Sequence, residues 1–249
     1  MVKRRRKPKV VPASSEAGKL KIAEAIQEMR DRGELPEKRL GEDNGAVVMI
    51  RVNPIAWGIP FDEVVFSKWV QHLVGTIRIM PWDDTIFASS TYLPDARNII
   101  HSRFVEESKC EWLLMLDSDV LPPPGFEHTL LKHIQNDEEI RMVGGWYKMK
   151  DGSNTPVVYH TEEPPDDKGI IDYSKYGPDH VGKGLEEVVA AGAGIWLMHR
   201  EVAEAIGPKP YSMTEGGEDL ALCRKVRDAG FKLFIDWDIA AAHCGVAVA

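Results

Sequence analysis

The sequence contains no apolar run long enough to cross a bilayer, which takes roughly 18–20 residues. Its longest apolar stretch, Val188 to Met198, is interrupted by Gly192 and Gly194 and reads as a buried strand. Integral membrane contact is therefore not expected. Cysteine is scarce: Cys110, Cys223 and Cys244 are odd in number and have no C-x-x-C spacing. That pattern excludes a disulfide framework and a cysteine zinc site, and a reducing cytoplasm is the expected setting. No apolar segment follows the charged start, where Pro8, Pro12 and a Ser/Glu/Lys-rich stretch stand instead, so a secretory leader is not expected either. Internal repeats and a Gly-rich phosphate loop are also missing. The sequence Asn53-Pro54-Ile55-Ala56-Trp57-Gly58 offers one glycine where a nucleotidyltransferase would place several.

What is present is one chain of 249 residues with 43% hydrophobic content, enough for a single substantial core. The formal net charge is −8, although Lys3, Arg4, Arg5, Arg6, Lys7 and Lys9 are all basic, so the rest of the chain is six charges more acidic than the whole. Such a body is a poor general binder of nucleic acid, whose affinity rests on Lys and Arg neutralising phosphates. Residues 1–45 are read as a basic disordered arm followed by a helix over Ser15 to Arg32 that Gly33 stops. The arm is either a solvated tail or a contact for a polyanion.

From Ala46 onward, β-rich runs alternate with helical segments. Strands are expected at Ala46–Val52, Thr76–Met80, Trp112–Leu116, Arg141–Val143, Pro156–Tyr159, Glu187–Met198 and Lys232–Trp237. Helices are expected from Phe61 to Val74, Pro94 to Glu107, Phe126 to Gln135, and Glu218 to near Gly230. This alternation predicts an α/β fold with a mostly parallel, Rossmann-like sheet covered by helices on both faces, and with ligands at the carboxyl ends of its strands. A Gly/Asp/Pro-rich segment over 161–184 is a candidate lid.

The chemistry concentrates where the apolar run Trp112-Leu113-Leu114-Met115-Leu116 meets Asp117-Ser118-Asp119. Alternate side chains of an extended segment share a face, so Asp117 and Asp119 can converge on one ion; hard oxygen ligands suit Mn²⁺ or Mg²⁺. The alternative is a turn or a helix cap. Arg97 can present a planar fork to a diphosphate beside the N-terminus of its helix, or pair with Asp95 at the surface. Gly192 and Gly194 mark close approach to the backbone, by a sugar or simply by a neighbouring side chain. Glu218 and Asp219 are first-turn acids that stabilise a helix start whether or not they react. His243 could complete a ligand set with Asp119.

Asp117-Ser118-Asp119 resembles the D-x-D of GT-A glycosyltransferases, particularly the family-2-like proteins often encoded by bacteriophages. The resemblance extends to Pro94-Asp95-Ala96-Arg97-Asn98, to Val189-Ala190-Ala191-Gly192-Ala193-Gly194, and to Gly216-Gly217-Glu218-Asp219-Leu220 with Cys223-Arg224 and Ala229-Gly230-Phe231. It closes on Ala242-His243-Cys244-Gly245. These ordered matches cover residues 46–249 and imply a GT-A (nucleotide-diphospho-sugar transferase) domain there. The implied activity is metal-dependent transfer of a sugar, with hexose expected, from a nucleotide-diphosphate sugar, with UDP expected, to a hydroxyl with inversion. By the same resemblance Asp95, Arg97, Asn98, Asp117, Gly192 and Gly194 would bind the donor. Asp117, Asp119 and His243 would hold Mn²⁺ or Mg²⁺, and Asp219, with Glu218 as its competitor, would act as base. Acceptors open to such a phage-like protein are modified DNA, a virion protein or a glycan, reached in the host cytoplasm. One departure concerns the base-binding edge: Arg51-Val52-Asn53-Pro54 stands where relatives carry Pro-Thr-hydroxyl or Pro-x-Tyr-Asn. A sugar-nucleotide or glycan-binding protein without turnover is the competing reading from outside the enzymes.

Overall fold

The computed structural model describes residues 54–61, 65, 67–162, 173–180, 182–213 and 216–244. The chain divides into two compact units, Met1–Val52 and Asn53–Ala249, and every described residue belongs to the second. The basic arm, the helix expected over 15–32 and the strand expected over 46–52 lie outside the described residues, as do much of the 161–184 segment and Gly245.

An eight-stranded sheet forms the centre, in the order β2-β1-β3-β10-β5-β11-β4, with β8 also paired to β11. Its strands are β1 (Ile55–Phe61), β2 (Asp84–Ser89), β3 (Trp112–Leu116), β4 (Val120–Leu121), β5 (Met142–Tyr147), β8 (Leu185–Val188), β10 (Ile195–His199) and β11 (Leu233–His243). β2, β1, β3, β5 and β11 run one way, while β10, β4 and β8 run against them. A small second sheet joins β6 (Val158–Glu162), β7 (Tyr173–Lys175) and β9 (Ala190–Ala191).

Among the described residues, five helices flank this frame: α1 (Ser67–Thr76), α2 (Leu93–Glu106), α3 (Phe126–Asn136), α4 (Arg200–Ala205) and α5 (Glu218–Asp228). β3 shows why the layers form. All five of its residues are buried, and their alternation sends Leu113 and Met115 to one face and Trp112, Leu114 and Leu116 to the other. The first face packs on Ala96, Ile100 and Phe104 of α2, Val202 and Ala203 of α4, and Leu220, Leu222, Cys223 and Val226 of α5. The second packs on Trp69 of α1 and on Phe126, Leu130, Leu131 and Ile134 of α3. Among the described residues no helix is long and apolar enough to cross a membrane.

Several expected boundaries move. Residues 55–58, expected as the loop after the first strand, are instead part of a strand, β1, pairing in parallel with both β2 and β3. Gly58 is needed there because a Cβ would meet Ile100 Cγ2 at 2.5 Å, and Pro60 lies beyond the last pair with β3. Thr76–Met80 is not a strand: α1 runs through Thr76, and the strand is β2 at Asp84–Ser89. Asp83 redirects the chain, accepting from the Met80 and Ile55 amides at 2.9 and 3.0 Å and from Trp57 Nε1 at 3.1 Å. The single strand expected over 187–198 is three, β8, β9 and β10, broken at Val189 and at Gly192-Ala193-Gly194.

Candidate active site

Strand alternation carries Asp117 onto the face already occupied by Leu113 and Met115, the side covered by α2 and α5. Its amide donates to the Gly194 carbonyl at 3.0 Å, and the chain then turns, with the Val120 amide reaching back to the Asp117 carbonyl at 3.2 Å. Because 118–119 is a turn rather than extended chain, the alternation that would align Asp117 with Asp119 stops at Asp117. The two carboxylates consequently have different partners.

Asp117 belongs to a buried charge cluster centred on Arg97, which is 1% exposed. Arg97 Nη2 donates to Asp117 Oδ2 at 2.6 Å, while Nη1 donates to Asp219 Oδ1 at 2.6 Å and to Glu218 Oε1 at 3.0 Å. The Tyr211 ring lies 5.6 Å from the guanidinium carbon. Burial alone would lower the Arg97 pKa, but the Asp117 and Asp219 charges outweigh it and hold the guanidinium well above its ordinary range. Burial pushes the Asp117 carboxyl up to about 6, with Arg97 opposing and Asp219 and Asp119 adding to the rise. Asp117 Oδ1 is buried and has no hydrogen-bond partner.

Asp119 sits at the mouth of this cluster, with its carbonyl accepting the Cys244 amide at 2.7 Å. One carboxylate oxygen lies 3.6 Å from His243 Nε2, and the other is held by Lys150 Nζ. Burial would raise its pKa, but hydrogen bonds and charge from His243 and Lys150 outweigh that and keep the carboxyl below its usual range. His243, the last residue of β11, is oriented by Nδ1 against the Lys148 carbonyl at 3.1 Å and by the Tyr147 ring at 4.7 Å.

The other expected site residues have defined places. Asn98 clamps the backbone of Tyr211, donating to its carbonyl at 2.9 Å and accepting its amide at 3.0 Å. Asp95 is exposed in the first turn of α2. Gly192 and Gly194 lie beneath Tyr147: a Cβ on Gly192 would meet its hydroxyl at 2.2 Å, one on Gly194 its ring at 2.7 Å, and the Gly194 amide donates to that hydroxyl at 3.1 Å. The close approach that these glycines allow is therefore by a neighbouring side chain. Gly216, at φ +86°, turns the chain into α5 so that Glu218 and Asp219 open the helix facing Arg97.

Lys150, Tyr147 and Tyr211 are the participants that sequence reasoning missed. Lys150 could have been found from Asp151-Gly152, a tight-turn pair that marks a hairpin after β5.

Asp117, Asp119 and His243 offer two hard oxygens and one imidazole nitrogen, a donor set that suits Mn²⁺ or Mg²⁺. Asp119 and His243 are already adjacent, and the buried Asp117 Oδ1 has a lone pair to give. Among the described residues no group of three or more His, Cys, Asp or Glu side chains is gathered as a finished metal cage, and one Asp117 oxygen is taken by Arg97.

No family model matches the chain, and no characterised protein matches it in sequence. Its backbone is similar to the crystal structure of A197 from STIV, at TM-score 0.57 and 19% identity, over 78% of this chain and 86% of that one. It is also similar to the crystal structure of GalNAc-T7 with UDP, GalNAc and Mn2+, at TM-score 0.52 and 15% identity, over 76% of this chain. The second likeness spans 43% of that longer chain, less than half its length. By sheet, helical layers and structural likeness, the chain has the GT-A fold.

Proposed function

We propose that this chain is a glycosyltransferase that takes a sugar from a nucleotide-diphosphate donor and binds a divalent ion through Asp119 and His243, with Asp117 Oδ1 turned toward the same ion. The observation that carries this reading is the approach of Asp119 to His243, 3.6 Å apart at the carboxyl end of β3, in a fold shared with a protein crystallised with UDP, GalNAc and Mn²⁺. Such ligand sites lie outside the carboxyl ends of strands in open α/β sheets. When bound, the ion would neutralise charge on the departing diphosphate.

The protein's own residues do the rest. Arg97 is a positioning residue, holding Asp117 on one guanidinium nitrogen and both α5 acids on another. Asp219, whose side chain is more exposed than that of Glu218, keeps one carboxylate oxygen on Arg97 and has the second left to accept the proton of the acceptor hydroxyl. In-line attack with inversion needs a base on the face of the sugar opposite the diphosphate. Uridine as the base and hexose as the sugar belong to this reading, as does Mn²⁺ or Mg²⁺.

A second reading, a nucleotide-sugar or glycan-binding protein without turnover, is favoured by one observation: all three acids around Arg97 are already paired. The two readings separate on UDP binding by calorimetry and donor hydrolysis with Mn²⁺. Asp119→Asn is expected to lose Mn²⁺-dependent UDP affinity by tenfold or more while folding normally; unchanged affinity would sink the metal assignment. Asp219→Asn is expected to lose transfer by about a hundredfold or more with UDP affinity kept, and Glu218→Gln to lose far less. A product with the donor's anomeric configuration would overturn inversion.

A further inference from the structure

Between β5 and β6 the chain makes a hairpin whose stem is closed by the Lys148–Pro156 bridge and by the Met149 amide donating to the Thr155 carbonyl at 2.9 Å. The tip, Lys150 to Asn154, is exposed, and it turns through Gly152 at φ +80° and Asn154 at φ +58°. Its own bonds are local: Asp151 accepts the Ser153 amide at 2.9 Å, and Ser153 Oγ accepts the Thr155 amide at 3.2 Å. The stem is held apart from the tip, by the Lys148 carbonyl against His243 Nδ1 at 3.1 Å and by Lys175 Nζ against Met149 Sδ at 3.2 Å, while the tip meets the sheet through Lys150 Nζ on Asp119 Oδ2, a side chain 44% exposed reaching one 27% exposed. The ammonium thus sits on the one carboxylate that also faces His243.

A carboxylate with an ammonium on one oxygen and an imidazole near the other has little room for a dication, and two cations within a few ångströms repel. We infer that Lys150 is a built-in counter-cation of Asp119, displaced when a divalent ion binds, so that occupation of Asp119 and release of the Lys150–Asn154 tip are one event. This rests on the reading above that Asp119 and His243 bind metal. The displaced ammonium remains tethered beside the ion, where the diphosphate of a donor needs positive charge. Lys150 is in this way a metal competitor in the resting protein and a phosphate-directed cation in the loaded one.

The test is Mn²⁺ binding by the full chain, read as loss of the free Mn²⁺ electron paramagnetic resonance signal, for the wild type, Lys150→Met and Lys150→Arg. Lys150→Met, which keeps the apolar stem and removes the charge, is expected to bind Mn²⁺ about 3- to 10-fold more tightly, the scale of a lost ion pair plus relieved repulsion. Lys150→Arg is expected to remain near wild type. Amide hydrogen exchange over the 150–154 tip is expected to quicken in the wild type when Mn²⁺ is added, and to be quick in Lys150→Met with or without it. Equal or weaker Mn²⁺ binding by Lys150→Met, or hairpin exchange indifferent to Mn²⁺ in the wild type, overturns the inference while leaving the metal assignment standing. Absence of Mn²⁺ binding from all three proteins overturns both.

Discussion

Arg97 brings three carboxylates to one guanidinium, and each of its contacts spans at least 20 positions in sequence. A buried charge removed from such a cluster leaves the others uncompensated, which typically costs about 3–5 kcal/mol. Arg97→Ala is therefore expected to destabilise the fold by that amount in urea unfolding. Arg97→Lys should recover only a part, because one ammonium cannot span Asp117 on one side and both α5 acids on the other. If Arg97→Ala instead unfolds like the wild type, the cluster contributes nothing to stability. The residue types around Arg97 were legible in the sequence, but their partners were not. Asp95, two positions away, was the natural local candidate, and the actual acids lie on β3's end and on α5, which only the folded sheet brings near α2.

At the scale of elements, Tyr147 at the end of β5 fills the groove over the Gly192-Ala193-Gly194 break before β10 and lies tilted against His243. A methyl at position 192 has no room, and overpacking of this kind costs about 1–3 kcal/mol. Gly192→Ala is expected to lower stability by that amount in thermal unfolding, and to lose less in a Tyr147→Leu background, where the phenol is gone and the tight neighbour left is Val157 Cγ1 at 3.0 Å; additive effects would show that the two positions are not coupled. The legibility of elements followed the same logic of neighbours. β3 was readable to the residue because five consecutive apolar side chains between polar ends match a strand buried on both faces. β1 was hidden, since Pro54, Gly58 and Pro60 look like punctuation until β2 and β3 supply the pairing and Ile100 the reason for the glycine. Thr76–Met80 alternates as a strand should, but Thr76 ends α1 and the rest lies on the half-exposed surface before the Asp83 turn, with no partner strand among the described residues to use that alternation.

For the molecule as a whole, stability should carry a pH signature from His101, a fully buried side chain of α2 beside the Ala203 backbone. Burial depresses its pKa to about 4, with a hydrogen bond to the Ala203 backbone opposing and Lys225 reinforcing the fall. Between that value and the ordinary 6.5 the unfolded chain binds the proton that the folded one refuses, so stability falls as pH drops from 6.5 toward 4 and levels off outside that window. The full loss is about 3 kcal/mol. Asp117, pushed up to about 6, works in the opposite sense, since its folded form takes up a proton first. The His101 contribution is therefore isolated by difference: urea unfolding at pH 7 and pH 5 should show a smaller acid-side loss for His101→Leu than for the wild type, and parallel losses would refute it. Topology has its own consequence for synthesis. β11 lies inside the sheet, between β5 and the strands β4 and β8, and it delivers His243 to Asp119. On a ribosome, the earlier strands emerge with a vacant slot beside β5. The sheet cannot close until residues 233–243 have left the exit tunnel, so a nascent chain stalled before them would hold the apolar flank of β5 open to chaperones, with Asp119 out of reach of His243.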